Sequence, residues 1–232
     1  MSMGMQKGEM MEGALNNYTE VAEWLNVPMW RVEQLLYEAD IVEELKNKDW
    51  YCFHRETYHF VFSLLNWEKG DKSAYTREIV SFAKRNELKS FLDHGSGVGY
   101  DCICMARDAG CDVYLMDILS QHLNFSIWRL HKYGMTDKLK GIVLVTENNL
   151  VPDLPQVDFI SSIAVLEHLH NPAEVLHSLC DHTKYIALRT DPDPEHKEHV
   201  KDHMDLIRKL DGLHKPTLDE FGIVRVNNTD PT

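Results

Sequence analysis

The stretch of sequence that decides the fold reads Phe91-Leu92-Asp93-His94-Gly95-Ser96-Gly97-Val98-Gly99-Tyr100-Asp101. Its glycines lie between a predicted strand and a predicted helix, which is the setting that a nucleotide-cofactor loop requires. Glycine lets the backbone turn tightly and approach a ligand, and free amides at the following helix terminus can meet a carboxylate or a phosphate. The spacing is G-x-G-x-G, with Tyr100 where the dinucleotide fingerprint has its third glycine. The loop therefore predicts a nucleotide-type cofactor.

The chain beyond this loop alternates between strand and helix. Predicted strands cover residues 90–93, 112–117, 141–145, 158–163 and 184–189, and residues 222–227 could add one short strand. Predicted helices cover residues 76–85, 101–109, 121–133 and 172–179. Strands separated by helices form a parallel sheet with helices on both faces. We therefore predict an α/β fold, with a Rossmann-like, doubly wound and mainly parallel sheet. The polar run at 68–72 is the best boundary, so we expect a helical domain at 1–72 and the sheet domain at 73–232.

Two carboxylates flank the glycine loop. Asp93 precedes the loop, where its carboxylate can face a cationic amino group. Asp117 ends the next predicted strand, where it can accept hydrogen bonds from the hydroxyls of a ribose. A strand-end acid can instead cap the following helix, so Asp117 also has a purely structural interpretation.

At these residues the chain resembles the class I methyltransferases that depend on S-adenosylmethionine (SAM). The run from Leu92 to Gly99 is similar to their first motif, and Asp117 is similar to the acid after their second strand. The run Ile160-Ser161-Ser162-Ile163-Ala164-Val165-Leu166-Glu167-His168-Leu169-His170-Asn171-Pro172 resembles the fourth-strand motif of the subgroup that contains ubiquinone and menaquinone methyltransferases. The resemblance spans about residues 77–189 and implies SAM as cofactor and methyl transfer to a small-molecule acceptor.

The resemblance also implies which residues bind the cofactor. The loop glycines would line its amino-acid and ribose portions, Asp93 would lie near its amino group, and Asp117 would hold the ribose hydroxyls. Ile118 matches a position that often packs on adenine, and either Glu147 or Asn148 would contact the adenine amine. The complete set is Asp93, Gly95, Gly97, Gly99, Asp117, Ile118, Asn148 and Ile163. The family's antiparallel strand pair after the fifth strand is matched by only one short predicted strand, at residues 222–227.

Three histidines are candidate catalytic residues, because a near-neutral pKa suits histidine to take a proton from the acceptor. His168 follows the fourth strand, at the edge where such sheets bind ligands, although it and Glu167 could instead cap the next helix. His196 and His199 share a helical face with His203 after the fifth strand. That face could supply a base, position an anionic substrate, hold a divalent metal or lie in solvent. No metal motif supports a metal site, and we predict none.

Other candidate substrate contacts lie outside the motifs. Arg189, at the end of the fifth strand, could pair with a carboxylate or phosphate of the substrate or make a structural salt bridge. Five aromatic side chains could line the substrate pocket or simply pack as core: Tyr51, Phe53, Tyr58, Trp67 and Tyr75.

Residues 19–36 resemble a helix-turn-helix, with Ala22 before the short turn and a capping box formed by Asn17 and Glu20 ahead of it. A DNA-reading second helix carries basic and amide side chains. Here Arg31 and Gln34 are outnumbered by the acids Glu33, Glu38, Asp40, Glu43 and Glu44. We therefore predict a helical cap that closes over the cofactor or makes a dimer contact. The alternatives are a SAM-sensing, nucleic-acid-associated regulator and a non-catalytic SAM-binding partner of another subunit.

Composition narrows the partners and the compartment. The formal net charge of −13 argues against charge-driven binding to nucleic acid or to an anionic membrane. No stretch approaches the ~20 apolar residues that cross a bilayer. The five cysteines are odd in number and form no C-x-x-C pair, and no secretory leader is visible. We therefore expect a cytoplasmic protein. We expect it to bind a small-molecule substrate rather than nucleic acid or a membrane, and a homodimer is one option for its oligomeric state.

Overall fold

The computed structural model describes residues 17–42, 58–68, 72–146, 148–189 and 222–226. Several residues considered above lie outside this described part of the chain: Tyr51, Phe53, Glu147, His196, His199 and His203.

Six strands within the described residues form one sheet in the order β3-β2-β1-β4-β5-β6. The first five strands are parallel, and β6 pairs with β5 in the antiparallel direction. The predicted Rossmann-like, mainly parallel fold is thereby confirmed. The chain order reverses at β1, which lies between β2 and β4, and ligands of such sheets bind outside the carboxyl ends of the strands at that point. The strands are β1 (Ser90–His94), β2 (Asp112–Ile118), β3 (Leu139–Val145), β4 (Val157–Ile163), β5 (Thr183–Arg189) and β6 (Gly222–Arg225).

Helices bury both faces of this sheet. Phe91 and Phe159 pack into the core beneath helix α4, whereas their chain neighbours Leu92 and Ile160 pack under helix α7 on the opposite face. Successive strand residues point to opposite faces, so a strand buried on both sides needs consecutive apolar residues. The helices of this domain are α4 (Ser73–Arg85), α5 (Tyr100–Cys104, extended by a π-helical segment at Met105–Ala109), α6 (Gln121–Lys132) and α7 (Pro172–Asp181).

Three N-terminal helices pack against one another and against the sheet domain. Their shared core includes Phe62 and Leu65, and it continues onto Val98 of the glycine loop and Phe125 of α6. The helices are α1 (Asn17–Leu25), α2 (Met29–Val42) and α3 (His59–Trp67). None of the helices in the described ranges is both long and apolar enough to cross a membrane.

A buried arginine fastens these helices to the sheet domain. Arg129 of α6 donates to both carboxylate oxygens of Glu68, at 2.7 and 3.1 Å, and to the carbonyl of Val98 at 2.8 Å. It also lies 3.4 Å from Glu20 of α1, whose other carboxylate oxygen accepts a hydrogen bond from Tyr133 at 2.5 Å. The capping box predicted for Glu20 is therefore wrong, because this buried guanidinium and the phenol attract its carboxylate.

Both ends of the polar run at 68–72 are buried. Glu68 pairs with Arg129, and the Lys72 ammonium lies 2.5 Å from the carboxylate of Asp101 in α5. Charged side chains are almost never buried without such partners. The link between the N-terminal helices and the sheet domain is thus anchored at both ends, and the domain division at 72 stays a prediction.

Candidate active site

The glycine loop joins β1 to α5 with a backbone that other residues rarely adopt. The φ angles are +72° at Gly95 and +53° at Gly97, and only glycine takes up this region without strain. A Cβ atom at Gly95 would also overlap the side chain of Val165, and one at Gly97 would lie 2.9 Å from Cδ1 of Leu64. The chain at these two positions therefore requires glycine for its conformation and for the close approach of its neighbours.

Several backbone amides of the loop bind β2. The amides of Gly95 and Ser96 donate to the carbonyl of Met116, at 2.8 and 3.2 Å, and the amide of Gly97 donates to the carboxylate of Asp117 at 2.7 Å. These three amides at the start of the loop are thus occupied within the protein. The loop is consequently held in place by β2 before any ligand binds.

The Asp117 carboxylate lies at the end of β2 and accepts three hydrogen bonds. Besides Gly97, the amide of Ile118 donates to it at 2.8 Å, and Nε2 of His122 lies 3.2 Å away. Burial alone would raise the pKa of Asp117, but the His122 ring and the two amides outweigh burial and lower it. The helix-capping alternative for Asp117 is wrong, because Ser120 is the N-cap of α6 and accepts a backbone amide there at 3.2 Å.

Asp93 lies at the end of β1, buried behind the loop. Its carboxylate accepts a hydrogen bond from the hydroxyl of Ser161 at 2.6 Å. Burial and the neighbouring carboxylate of Asp101 raise the pKa of Asp93 to about 7, although the ammonium of Lys72 acts in the opposite direction. Asp93 is therefore partly protonated near neutral pH, and a cation placed beside it would favour the ionised form.

A cavity opens at the carboxyl ends of β1, β2 and β4. It contains about 750 Å³ of empty space, which includes the open solvent at its mouth. Six residues predicted from the sequence line it: Gly95, Gly97, Asp117, Ile118, Ile163 and His168. The loop, the end of β2 and the end of β4 thus meet around one space.

Three predicted cofactor residues do not line this cavity. Asp93 is covered by the loop, and Asn148 is exposed beyond β3. Gly99 faces α6, where a Cβ atom would lie 2.7 Å from Cβ of Ser126. A packing requirement accounts for glycine at this position, and the proposed roles of all three residues stay predictions.

Helix α3 forms the wall opposite the sheet. Phe60, Leu64 and Trp67 line the cavity, and their spacing of four and three residues places them on one helical face. Trp67 was among the aromatic residues considered for the substrate pocket, whereas Tyr58 packs against Trp24 with ring centres 5.8 Å apart. The helical spacing of Phe60 and Leu64 was visible in the sequence, but such spacing does not show which part of the protein the helix face covers.

Two buried histidines in the cavity wall were not singled out from the sequence. Nδ1 of His94 lies 2.9 Å from the hydroxyl of Ser162, and burial lowers the pKa of His94 to about 4, so this ring is neutral near pH 7. His122 packs against Phe60, with ring centres 5.3 Å apart, and reaches Asp117. Both line the cavity. The position of His94 inside the glycine motif was the signal that could have identified it.

The chain turns sharply where it leaves β4. Ala164 has a φ of +57°, which is unusual for a residue other than glycine, and a 3₁₀ turn at Leu166–His168 follows. This turn brings His168 to the cavity wall. On the neighbouring strand, the guanidinium carbon of Arg189 lies 4.4 Å from the ring centre of Tyr75. Among the described residues no group of three potential metal ligands is present.

Comparison with known families identifies the chain. The model of a methyltransferase domain family matches residues 67–218, which is more than half of the 232 residues. The chain belongs to this methyltransferase family. The expected relationship to class I SAM-dependent methyltransferases is confirmed, while the narrower likeness to the ubiquinone and menaquinone subgroup stays a prediction. A search of curated proteins finds no match.

The methyltransferase is similar to several solved structures, and those with a TM-score above 0.5 share its fold. Monomeric WbdD is 15% identical with a TM-score of 0.52, over 70% of this chain and 44% of that chain. Cofactor-bound Rv0187 from MTB is 16% identical with a TM-score of 0.52, over 66% of this chain and 79% of that chain. The SAH-bound N-terminal domain of EvdMO1 is 17% identical with a TM-score of 0.44, over 54% of this chain and 53% of that chain. The methyltransferase thus spans only about half of the WbdD and EvdMO1 chains.

Proposed function

We propose that this methyltransferase transfers the methyl group of SAM to a small-molecule acceptor inside the cavity beneath α3. The observation that carries the proposal is that one cavity is lined by the glycine loop, Asp117 and the end of β4. Methyl transfer is an in-line displacement, so the cofactor and the acceptor must be aligned in a common space. The cavity is lined mainly by apolar side chains with a few polar groups, as small-molecule sites commonly are.

The residues around the cavity fit SAM. Gly95 and Gly97 have no side chain that could fill the cradle, and Asp117 is a carboxylate with three hydrogen-bond donors already in place. An ionised carboxylate has about four acceptor positions, which leaves capacity for a ribose hydroxyl. Ile118, beside it, offers apolar surface to adenine. SAM supplies a methyl carbon on a positively charged sulfur, which leaves as a neutral thioether.

We assign Asp93 to the amino group of SAM. The carboxylate is buried at the start of the loop, and its raised pKa of about 7 indicates that it lacks a full counter-charge despite the nearby Lys72. An ammonium group would supply that charge and stabilise the ionised carboxylate. The ring of His122, which lies below α3, contacts the carboxylate of Asp117 and keeps that carboxylate oriented.

We assign the proton transfer to His168, the one catalytic candidate from the sequence that lies within the described residues and lines the cavity. A neutral imidazole there can take the proton that a hydroxyl acceptor loses as its lone pair attacks the methyl carbon, or the proton that an ammonium acceptor must lose before its nitrogen can attack. The apolar face of α3, with Phe60, Leu64 and Trp67, excludes water from this step. The proposed roles of His196 and His199 concern residues outside the described part of the chain.

A small-molecule acceptor agrees better with the N-terminal helices than nucleic acid does. Arg31, the single basic residue of α2, forms an ion pair with Glu38 at 2.9 Å, and the chain carries a net charge of −13. A phosphate backbone would meet net repulsion at such a surface. The described cysteines are free thiols, in agreement with the reducing, cytoplasmic location that we propose.

The first test is a calorimetric titration with SAM. Asp117→Ala should weaken binding by about 1–3 kcal/mol, because charge-assisted hydrogen bonds are lost. Asp112→Ala is the matched control, since Asp112 is a carboxylate at the opposite end of the same strand. Equal affinities in the two variants would count against the assignment.

The second test is the formation of S-adenosylhomocysteine (SAH) from SAM. The expected result is turnover with the small-molecule fraction of a cell extract as the source of acceptor. Turnover that needs the macromolecular fraction would contradict a small-molecule acceptor. SAM binding without turnover in either fraction would instead favour the non-catalytic partner subunit.

A further inference from the structure

Arg189 lies directly beside the cavity wall. It is the last residue of β5 and pairs in register with Ile163 of β4, and its carbonyl accepts a hydrogen bond from the amide of Ala164 at 2.8 Å. Ile163 and Ala164 both line the cavity. The backbone of Arg189 is thus fixed one strand away from the proposed site of methyl transfer.

The side chain of Arg189 is on the face of the sheet that carries Asp93. Asp93 pairs in register with Ser161, and Ile163, two residues further along β4, points the same way as Ser161. From strand spacing and rise, the Cα atoms of Asp93 and Arg189 are roughly 12 Å apart. An acceptor that reaches from Arg189 to a methyl group held near the glycine loop is therefore a small molecule.

The Tyr75 ring holds the guanidinium of Arg189 in place. The guanidinium carbon lies 4.4 Å from the ring centre, and both residues are half-buried. At this distance the face of the ring attracts the guanidinium without taking part in a hydrogen bond. The contact therefore restrains this cation, and its N–H donors can still bind an anion.

No carboxylate within the described ranges pairs with this guanidinium. At the other end of β5, by contrast, Lys184 lies 2.7 Å from Asp158, and at the surface Arg107 lies 2.7 Å from Asp108. The guanidinium of Arg189 is half-buried, and its planar fork of donors suits a carboxylate or a phosphate.

We infer that Arg189, stacked on Tyr75, binds a carboxylate or phosphate group of the methyl acceptor. The inference rests on the proposed function and narrows the acceptor to small anionic molecules. Arg189 would orient the acceptor by two parallel N–H···O bonds at one end, while its nucleophile lies in the cavity at the other. Arg189 and Tyr75 have no assigned contact with the cofactor, so the anion site can be altered separately.

The test titrates the SAH-loaded protein with two probes, inorganic phosphate and benzoate, and follows binding by NMR shifts of backbone amides. We expect saturable binding of at least one probe, weakened roughly tenfold or more in Arg189→Gln, because the charge-assisted bonds are lost. Arg189→Lys should bind less well than the wild type, because lysine lacks the planar fork. Tyr75→Phe keeps the ring and should bind normally.

Arg225→Gln is the matched control, since it removes the same charge from an exposed residue of the adjacent strand β6. Absence of binding by both probes, or equal binding in Arg189→Gln and the wild type, would overturn the inference. SAH affinity is measured in every variant. Normal SAH affinity with lost anion binding isolates the anion site, whereas failure of the wild type to bind SAH would contradict the proposed function instead.

Discussion

The buried Arg129 network offers the sharpest test of how the N-terminal helices are joined to the glycine loop. The Arg129→Met variant places an apolar side chain of similar length at this position of α6. It removes the cation that lies between Glu20 and Glu68. It also removes the donor to the Val98 carbonyl, which belongs to the loop itself. Two carboxylates that are almost completely buried would then lose their shared counter-charge, and only the Lys132 ammonium, 3.9 Å from Glu20, would remain nearby.

The expected loss of unfolding free energy is about 3–5 kcal/mol, the usual consequence of removing one partner from a buried ion pair. That loss is a large fraction of the total stability of ordinary domains, about 5–15 kcal/mol. Lys132→Met is the control in the same helix. Its ammonium is partly exposed, with a side-chain exposure of 29%; it pairs with the exposed Glu23 and lies 3.9 Å from Glu20. The exposed pair with Glu23 contributes about 0–1 kcal/mol.

Urea unfolding measures both variants, and pH provides a second readout. Burial already raises the pKa of Glu68 in the wild type, although Arg129 acts in the opposite direction, so this pKa should rise further without Arg129. The resulting penalty is present at high pH and disappears as the pH falls and the carboxylates become protonated. The destabilisation should therefore be smaller at acidic than at alkaline pH, and Glu68→Gln should restore part of it in the Arg129→Met background. A loss no larger than that of Lys132→Met, independent of pH, would refute this reasoning.

Two further predictions concern the cofactor site. SAM affinity should fall about tenfold from about pH 7 to about pH 5.5, because the Asp93 carboxyl, with a pKa raised to about 7, must lose its proton to receive the ammonium group. Asp93→Asn should abolish this slope in calorimetric titrations, and an unchanged slope would exclude Asp93 as its origin. Gly95→Ala and Gly134→Ala place alanine at nearly equal φ angles, +72° and +71°, but only the first meets a neighbour, Val165. Both variants should lose about 1–2 kcal/mol of unfolding free energy to backbone strain. Gly95→Ala should lose a further ~1–3 kcal/mol to overpacking. Equal losses in urea unfolding would show that the contact with Val165 has no effect.

Local patterns in the sequence were enough to predict the sheet and the loop. Apolar runs next to glycine and polar turns located all five parallel strands to within a few residues. Four of these strands are buried along most of their length, whereas exposed and partly buried residues alternate along β3. The glycine spacing and the acid after β2 located the part of the cavity formed by Gly95, Gly97 and Asp117. These features depend on neighbours that are close in sequence or on a fixed fold topology.

The remaining features depend on partners that are distant in the chain. Glu68 looked like part of a polar boundary because its partner, Arg129, is 61 positions away. Glu20 looked like a capping residue because Tyr133, 113 positions away, gives no local signal. Likewise, the apolar face of α3 lines the cavity, but its sequence pattern is equally typical of a helix that packs into a hydrophobic core. Sequence patterns show that such side chains are apolar or charged, but the packing of the helices decides what they meet.

The most direct test of the central claim is a crystal structure of the protein with SAH, with NAD tried in parallel as a competing nucleotide. We predict that SAH occupies the cavity between α3 and the ends of β1, β2 and β4, with its ribose hydroxyls on Asp117 and its sulfur facing the turn that carries His168. Clear density for NAD in this cavity, or SAH bound at any other place, would contradict the account.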